Sequence, residues 1–262
     1  MAAAREFWAR TLKPRFSFVD VAIVAVVLTG ILLGWMGIWG RQLMDAVFQS
    51  PLPDVRIAQE QRVADPRAYQ KQYDFTVNWF TWNIPVWNDA LAPFKERANV
   101  QYLEIGVYEG RSAVWMLENI LTDPTARLTG VDIFAGPYKD RYFANIERSG
   151  SSDKVRTITG PSQLVLRELP LDSFDIIYVD GSHAKSDVLE DAVLSWRLLK
   201  ENGVLIFDDY RWAGCLAEGS SDRPTDFPKA AIDAFVQCFE EHLEVIHNSY
   251  QLIVRKRHRS SQ

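Results

Sequence analysis

The chain has 262 residues, 47% of them hydrophobic and 24% charged, with a formal net charge of -5. That is enough apolar material for one substantial core, and it excludes a disordered tail or a fibre. An acidic balance without zinc-finger spacing has no surplus to meet a phosphate backbone, so nucleic acid is not an expected partner. Cys215 and Cys238 stand far apart without a CxxC spacing, which indicates neither a metal cage nor a disulfide framework.

Residues 1–17 form a basic N-terminus with Arg5, Arg10, Lys13 and Arg15. From Val21 to Trp39 the run "VAIVAVVLTGILLGWMGIW" carries no charge, and at about 1.5 Å per residue a helix of that length nearly crosses a bilayer core. Trp35 and Trp39 near its end suit an interfacial anchor, whereas a signal peptide has a shorter apolar core and a small-residue cleavage site. A single-pass transmembrane helix is therefore expected over residues 18–40, with membrane lipid as its partner. A buried core helix is the alternative, disfavoured because the run is apolar on every face. Only Arg41 and Arg56 closely follow the run, so the positive-inside rule places the N-terminus in the cytoplasm and the main domain outside.

Residues 41–73 are polar, punctuated by "SPLPD", and read as a linker with some helix. Over residues 74–99 aromatics crowd together while Pro85 and Pro93 limit helix length. These cap helices either pack on the domain by an aromatic face or cover a substrate as a lid.

From residue 100 to 256 the pattern is regular. "VQYLEIGV", "ARLTGVDIF", "KVRTITG", "FDIIYVD" and "GVLIFDD" are short apolar runs, and several are separated by helical stretches such as "EGRSAVWMLENIL" and "KSDVLEDAVLSWRLLK". The predicted fold is α/β: a Rossmann-like, doubly wound, mostly parallel sheet with helices on both faces. Val188, Leu189, Ala192, Val193, Trp196 and Leu199 recur at helical spacing and predict a sheet-packing face. "PKAAIDAFVQCFEEH" reads as a helix, and "LEVIHNSYQLIVRKR" as two strands that add an antiparallel C-terminal edge. Residues 257–262 are a tail, most simply solvated, although its basic side chains could touch anionic lipid.

Ligands of such a sheet bind beyond the carboxyl ends of the strands. The first strand ends in "LEIGVYEGRS", where Gly106 and Gly110 permit a sharp turn and close approach of a ligand. A dinucleotide fingerprint requires glycines at 106, 108 and 111, but Tyr108 and Arg111 occupy the last two, and no GxxxxGK[ST] stretch is present to cradle a triphosphate. A nucleoside without a phosphate chain suits this turn. Asp132, about twenty residues on, either accepts the hydroxyls of a ribose or caps the next helix. Glu104 is placed to meet a cationic amino group, directly or through water. Together these describe an adenosyl ligand with an amino acid tail.

With "LEIGVYEGRS" matching an ExGxxxG first motif, and with "FDIIYVDGSH" and "VLEDAVLSWRLLKENGVLIFDDY" in order behind it, the chain resembles the class I S-adenosylmethionine-dependent methyltransferases. More narrowly, it resembles their catechol O-methyltransferase-like branch, including the macrocin O-methyltransferase and cephalosporin-hydroxylase-related groups. The resemblance covers about residues 98 to 255. It implies S-adenosylmethionine as cofactor, held by Glu104, Gly106, Gly110, Asp132 and Asp180, with Ser162 and Gln163 at the positions that border adenine; for those two an ordinary helix start is the alternative. Lys185 departs from the tyrosine that often follows "DGSH", and Asn202 replaces the first glycine of the usual pair before the last parallel strand. Because the cofactor is made in the cytosol, the resemblance favours a cytosol-facing catalytic domain, against the charge bias.

Asp180 ends the fourth strand, and Asp208 with Asp209 ends the fifth, so three carboxylates are predicted to converge. Convergent carboxylates repel one another, and a hard divalent cation such as magnesium is their natural partner. In the metal-dependent relatives such an ion binds the acceptor hydroxyl. His183 is the candidate base; it could equally orient a carboxylate or cap a helix. Arg211 and Trp212 either shape an acceptor pocket or pack the loop. The expected activity is methyl transfer to a hydroxyl of a small-molecule or sugar acceptor, with Asp180 and His183 as catalytic residues. A homo-oligomer is compatible with this. Alternatives are a membrane-tethered S-adenosylmethionine-binding scaffold without turnover, and another reaction on the same fold.

Overall fold

The computed structural model describes residues 73–212 and 227–257. The expected transmembrane segment, nearly all of the linker, and the terminal residues from His258 lie outside them. Among the described residues no helix is long and apolar enough to cross a membrane.

Five apolar runs form the parallel strands β1 (Gln101–Ile105), β2 (Arg127–Asp132), β3 (Val155–Thr159), β4 (Phe174–Val179) and β5 (Leu199–Phe207), followed by β6 (Leu243–Asn248) and β7 (Leu252–Lys256). Their order is β3-β2-β1-β4-β5-β7-β6, with β7 antiparallel to both its neighbours. The predicted α/β sheet and its antiparallel edge are thus present. Strand order reverses between β1 and β4, so the crevice outside their carboxyl ends is the place for a ligand.

The described helices are α1 (Ile84–Ala90), α2 (Arg111–Asn119), α3 (Lys139–Arg148), α4 (Ser162–Val165), α5 (Lys185–Leu198) and α6 (Pro228–Phe239). One core layer holds Trp87, Trp115, Met116 and Tyr142 against one face of the sheet; the other holds Trp196, Ile232 and Phe235. Every residue of β4 is buried, which is why it reads as a continuous apolar run rather than an alternating one.

The expected α5 face is narrower than its sequence pattern. Val188, Ala192 and Trp196 are buried, but Leu189 and Val193 are 38% and 40% exposed. At about 100° per residue, one seam four residues apart faces the sheet, and the residues next in chain turn away from it. Asp191 and Ser195 are buried instead. Leu199 begins β5. Asn202 has φ +61, a left-handed turn that asparagine tolerates in place of glycine.

The aromatic segment is divided between packing and exposure. Trp87 and Leu91 are fully buried, whereas Trp79 is 60% exposed. Thr76 donates its N–H and its hydroxyl to the two carboxylate oxygens of Glu109, both at 2.7 Å, and the Arg111 side chain donates to the Val77 carbonyl. These bonds lay the strap before α1 along the start of α2.

Candidate active site

The turn from β1 into α2 contains three residues with positive φ: Gly106 (+86), Tyr108 (+48) and Gly110 (+82). A Cβ on Gly106 would lie 2.1 Å from the Asp180 carbonyl oxygen, so the space glycine leaves is filled by the end of β4. Glycine at 106 is therefore required first by the close approach of β4 on its Cβ side, in addition to any ligand the turn receives.

Asp132 closes this turn. One carboxylate oxygen accepts the N–H groups of Val107 and Tyr108, both at 3.0 Å, and the other accepts the Phe134 N–H at 2.7 Å and the Tyr138 hydroxyl at 3.3 Å. A carboxylate offers about four lone-pair sites, so a ribose hydroxyl would exchange for one of these partners, the long Tyr138 bond being the weakest. Glu104 is fully buried, accepting from the Ser112 hydroxyl and, at 2.9 Å, the Tyr102 hydroxyl. Burial pushes its carboxyl up to about 8, although both hydroxyl bonds pull the other way.

Ser162 opens α4, and its hydroxyl donates to Asp191 on α5 at 3.0 Å. The Gly160 N–H donates to the Asp132 carbonyl, which brings the ends of β2 and β3 together beside Ser162 and the half-buried Gln163. Burial raises Asp191 to about 6, and its second oxygen and the Ser195 hydroxyl have no hydrogen-bond partner among the described residues.

The three acids converge as predicted: one oxygen from each of Asp180, Asp208 and Asp209 lies within 4.8 Å of the others. Successive strand residues normally face opposite ways. Asp209 instead has φ +55, and this left-handed turn accompanies delivery of both neighbours to one cluster. Asp208 accepts from Tyr178 at 2.7 Å and from Gln251 at 3.0 Å; Asp209 accepts from Tyr250 at 2.5 Å and pairs with His183 Nε2 at 2.7 Å. Burial, then the charges of Asp208 and Asp209, pushes Asp180 well above the usual carboxylate range. Asp208 is raised by burial and then by Asp209. Three carboxylates that bring one oxygen each within 4.8 Å of the others, two of them raised first by burial, offer the oxygen donors that fit a hard divalent cation.

"DGSH" resolves into separate roles. Asp180 joins the acids, a Cβ on Gly181 would meet Ile105 Cγ2 at 3.4 Å, and Ser182 accepts the Ala184 N–H and donates to Asp187 at the start of α5. His183 is half-exposed, and its ring stacks on Trp212 at 4.5 Å. Its hydrogen bond to Asp209 raises its pKa against the effect of burial.

Sequence reasoning missed the hydroxyl partners Ser112, Tyr102 and Tyr178; the turn at Asn248 and Ser249 between the last two strands was legible, but not that it sends Tyr250 and Gln251 to the acids. The polar pair "YQ" between two apolar strands was the available signal. Ile133, directly after Asp132, is 57% exposed beside the same crevice.

Residues 103–210 match the model of a family described as a methyltransferase domain. The chain is 32% identical over 136 residues to O-methyltransferase ankF of Aspergillus thermomutatus, covering 49% of this chain and 53% of that protein. It is 26% identical over 157 residues to a catechol O-methyltransferase of Mycobacterium tuberculosis, covering 59% and 66%. The chain thus spans about half to two-thirds of these curated relatives. Among solved structures, the MycE methyltransferase in complex with Mg and SAH superposes with a TM-score of 0.52 at 17% identity, over 75% of this chain and 55% of that one, which is a likeness of fold.

Proposed function

We propose that this chain, whose residues 103–210 are a methyltransferase domain of the class I S-adenosylmethionine-dependent kind, moves a methyl group from S-adenosylmethionine to a hydroxyl of a small-molecule or sugar acceptor. One observation carries the reading: a glycine turn with a buried acid lies beside a three-carboxylate cluster at the ends of adjacent strands.

The cofactor supplies a methyl group made electrophilic by a sulfonium. We assign its binding to Glu104, Gly106, Gly110, Asp132, Ser162 and Gln163, with Asp180 between the two halves of the site. Glu104, largely protonated when alone, would ionise beside a cationic amino group. Asp180, Asp208 and Asp209 would hold a divalent cation, magnesium by preference, which when bound lowers the pKa of a hydroxyl and fixes its position. The convergence of three carboxylate oxygens supports this assignment, as does the magnesium named for the MycE complex. By accepting from Nε2–H, Asp209 fixes the neutral tautomer of His183 and leaves Nδ1 to take the acceptor's proton. Trp82 lies edge-on to Tyr250 and Trp212 stacks on His183, so both partners of Asp209 carry an indole that can shield the acceptor from water.

We assign residues 18–40 to a single-pass membrane tether after the basic 1–17 segment, with 41–73 as linker, 74–99 as cap, 100–256 as a catalytic domain facing the cytosol, and 257–262 as tail. The uncharged run from Val21 to Trp39 supports the tether. Incubating the full chain with methyl-labelled S-adenosylmethionine, phenolic and sugar acceptors, and either magnesium or EDTA tests the activity. Labelled ether that depends on the metal is expected; tight cofactor binding without transfer to any acceptor would favour a scaffold.

A further inference from the structure

Asp208 is held by a buried relay that begins on α1. The Trp87 Nε1–H donates to Gln251 Oε1 at 2.7 Å, and Gln251 Nε2 donates to Asp208 Oδ1 at 3.0 Å. The Tyr178 hydroxyl donates to the other oxygen of Asp208 at 2.7 Å. Trp87, Gln251 and Tyr178 are all at most 1% exposed.

The chemistry of the relay has one direction. An indole N–H only donates, whereas a glutamine amide has one accepting end and one donating end. Trp87 therefore occupies the accepting end and turns the donating end toward Asp208. Without the indole N–H, the amide could reverse and present its oxygen to a carboxylate. The two contributors lie 164 residues apart, on α1 and on the turn between β6 and β7. The neighbouring Tyr250 of that turn holds Asp209, so one turn supports two of the three acids.

We propose that Trp87 and Gln251 are positioning residues that orient Asp208 for divalent-cation binding. The inference rests on the metal-assisted reading above. It gives the aromatic cap a part in metal affinity through α1, in addition to packing.

The test uses the full chain with Mn²⁺ as probe, followed through the spin-resonance signal of the free ion. Trp87→Phe keeps an aromatic ring against Tyr178 and removes the N–H; Gln251→Met keeps the length and removes the amide. Each single change is expected to weaken Mn²⁺ binding about tenfold, the scale of a lost outer partner of a metal ligand. The double variant should be no weaker than Gln251→Met alone, because Trp87 acts through Gln251. S-adenosylmethionine affinity, measured by calorimetry on the same proteins, should be unchanged. Additive losses in the double variant, or unchanged Mn²⁺ affinity in both singles, would overturn the relay. Absence of Mn²⁺ binding by the unaltered chain would instead overturn the metal-assisted reading, and the relay with it.

Discussion

Replacing Gly106 by alanine should damage the fold far more than the same change at Gly110, though both residues have nearly the same φ, +86 and +82. The left-handed backbone costs alanine about 1–2 kcal/mol at either position, partly offset by a stiffer unfolded chain. Surroundings separate the two. At Gly110 the new methyl would meet the Tyr142 ring at 3.0 Å, and a side chain can give way. At Gly106 it would lie 2.1 Å from the Asp180 oxygen, 2.6 Å from the Asp180 carbonyl carbon and 2.7 Å from the Gly181 Cα, all backbone. Relief requires the ends of β1 and β4 to part by about 1 Å. That strains the Asp180 N–H bond to Ile105 and the Gly106 N–H bond to Val131, both 2.8 Å. Each such buried bond lost costs about 1–3 kcal/mol. The expected loss is about 3–5 kcal/mol for Gly106→Ala and about 1 kcal/mol for Gly110→Ala, against a typical total of about 5–15 kcal/mol. Urea unfolding followed by tryptophan fluorescence measures both. Equal losses would refute the reasoning.

The remaining predictions concern the acids. Glu104 is raised from an ordinary value of 4.5 to about 8, so between these values the folded chain keeps a proton that the unfolded chain has lost, and stability falls as pH rises. Glu104→Gln should flatten that slope in unfolding curves from pH 5 to pH 8. If a cationic amino group binds beside Glu104, cofactor binding near pH 7 releases a proton, and the binding heat should vary with the ionisation heat of the buffer; identical heats would contradict the contact. Asp180→Ala should abolish metal-dependent turnover while most of the cofactor affinity, carried by the remaining contacts, is kept, as read by product formation and calorimetry together; full activity would sink the metal assignment. Asp132→Ala should weaken cofactor binding and lower stability by about 1–3 kcal/mol, because the Val107, Tyr108 and Phe134 N–H groups lose their acceptor.

Strand identity and order of chemistry were legible in the sequence because buried parallel strands are uninterrupted apolar runs and their polar ends stand out. Asp180, Asp208 and Asp209 could be brought together from strand-end position alone. The partners of those acids could not, since Trp87 and Gln251 meet across 164 residues and neither carries a local pattern. Helix α3 was missed because its buried stripe is only Tyr142, Asn145 and Ile146 in an otherwise charged segment. Gly106 was legible as a turn, but its neighbour in space, the Asp180 backbone, follows only from the pairing of β1 with β4.

Calorimetric titration of S-adenosylmethionine into the full chain, with and without magnesium and with NAD as control, tests the central claim most directly. Micromolar binding of S-adenosylmethionine and none of NAD is the predicted result; folded protein that binds neither would contradict the account.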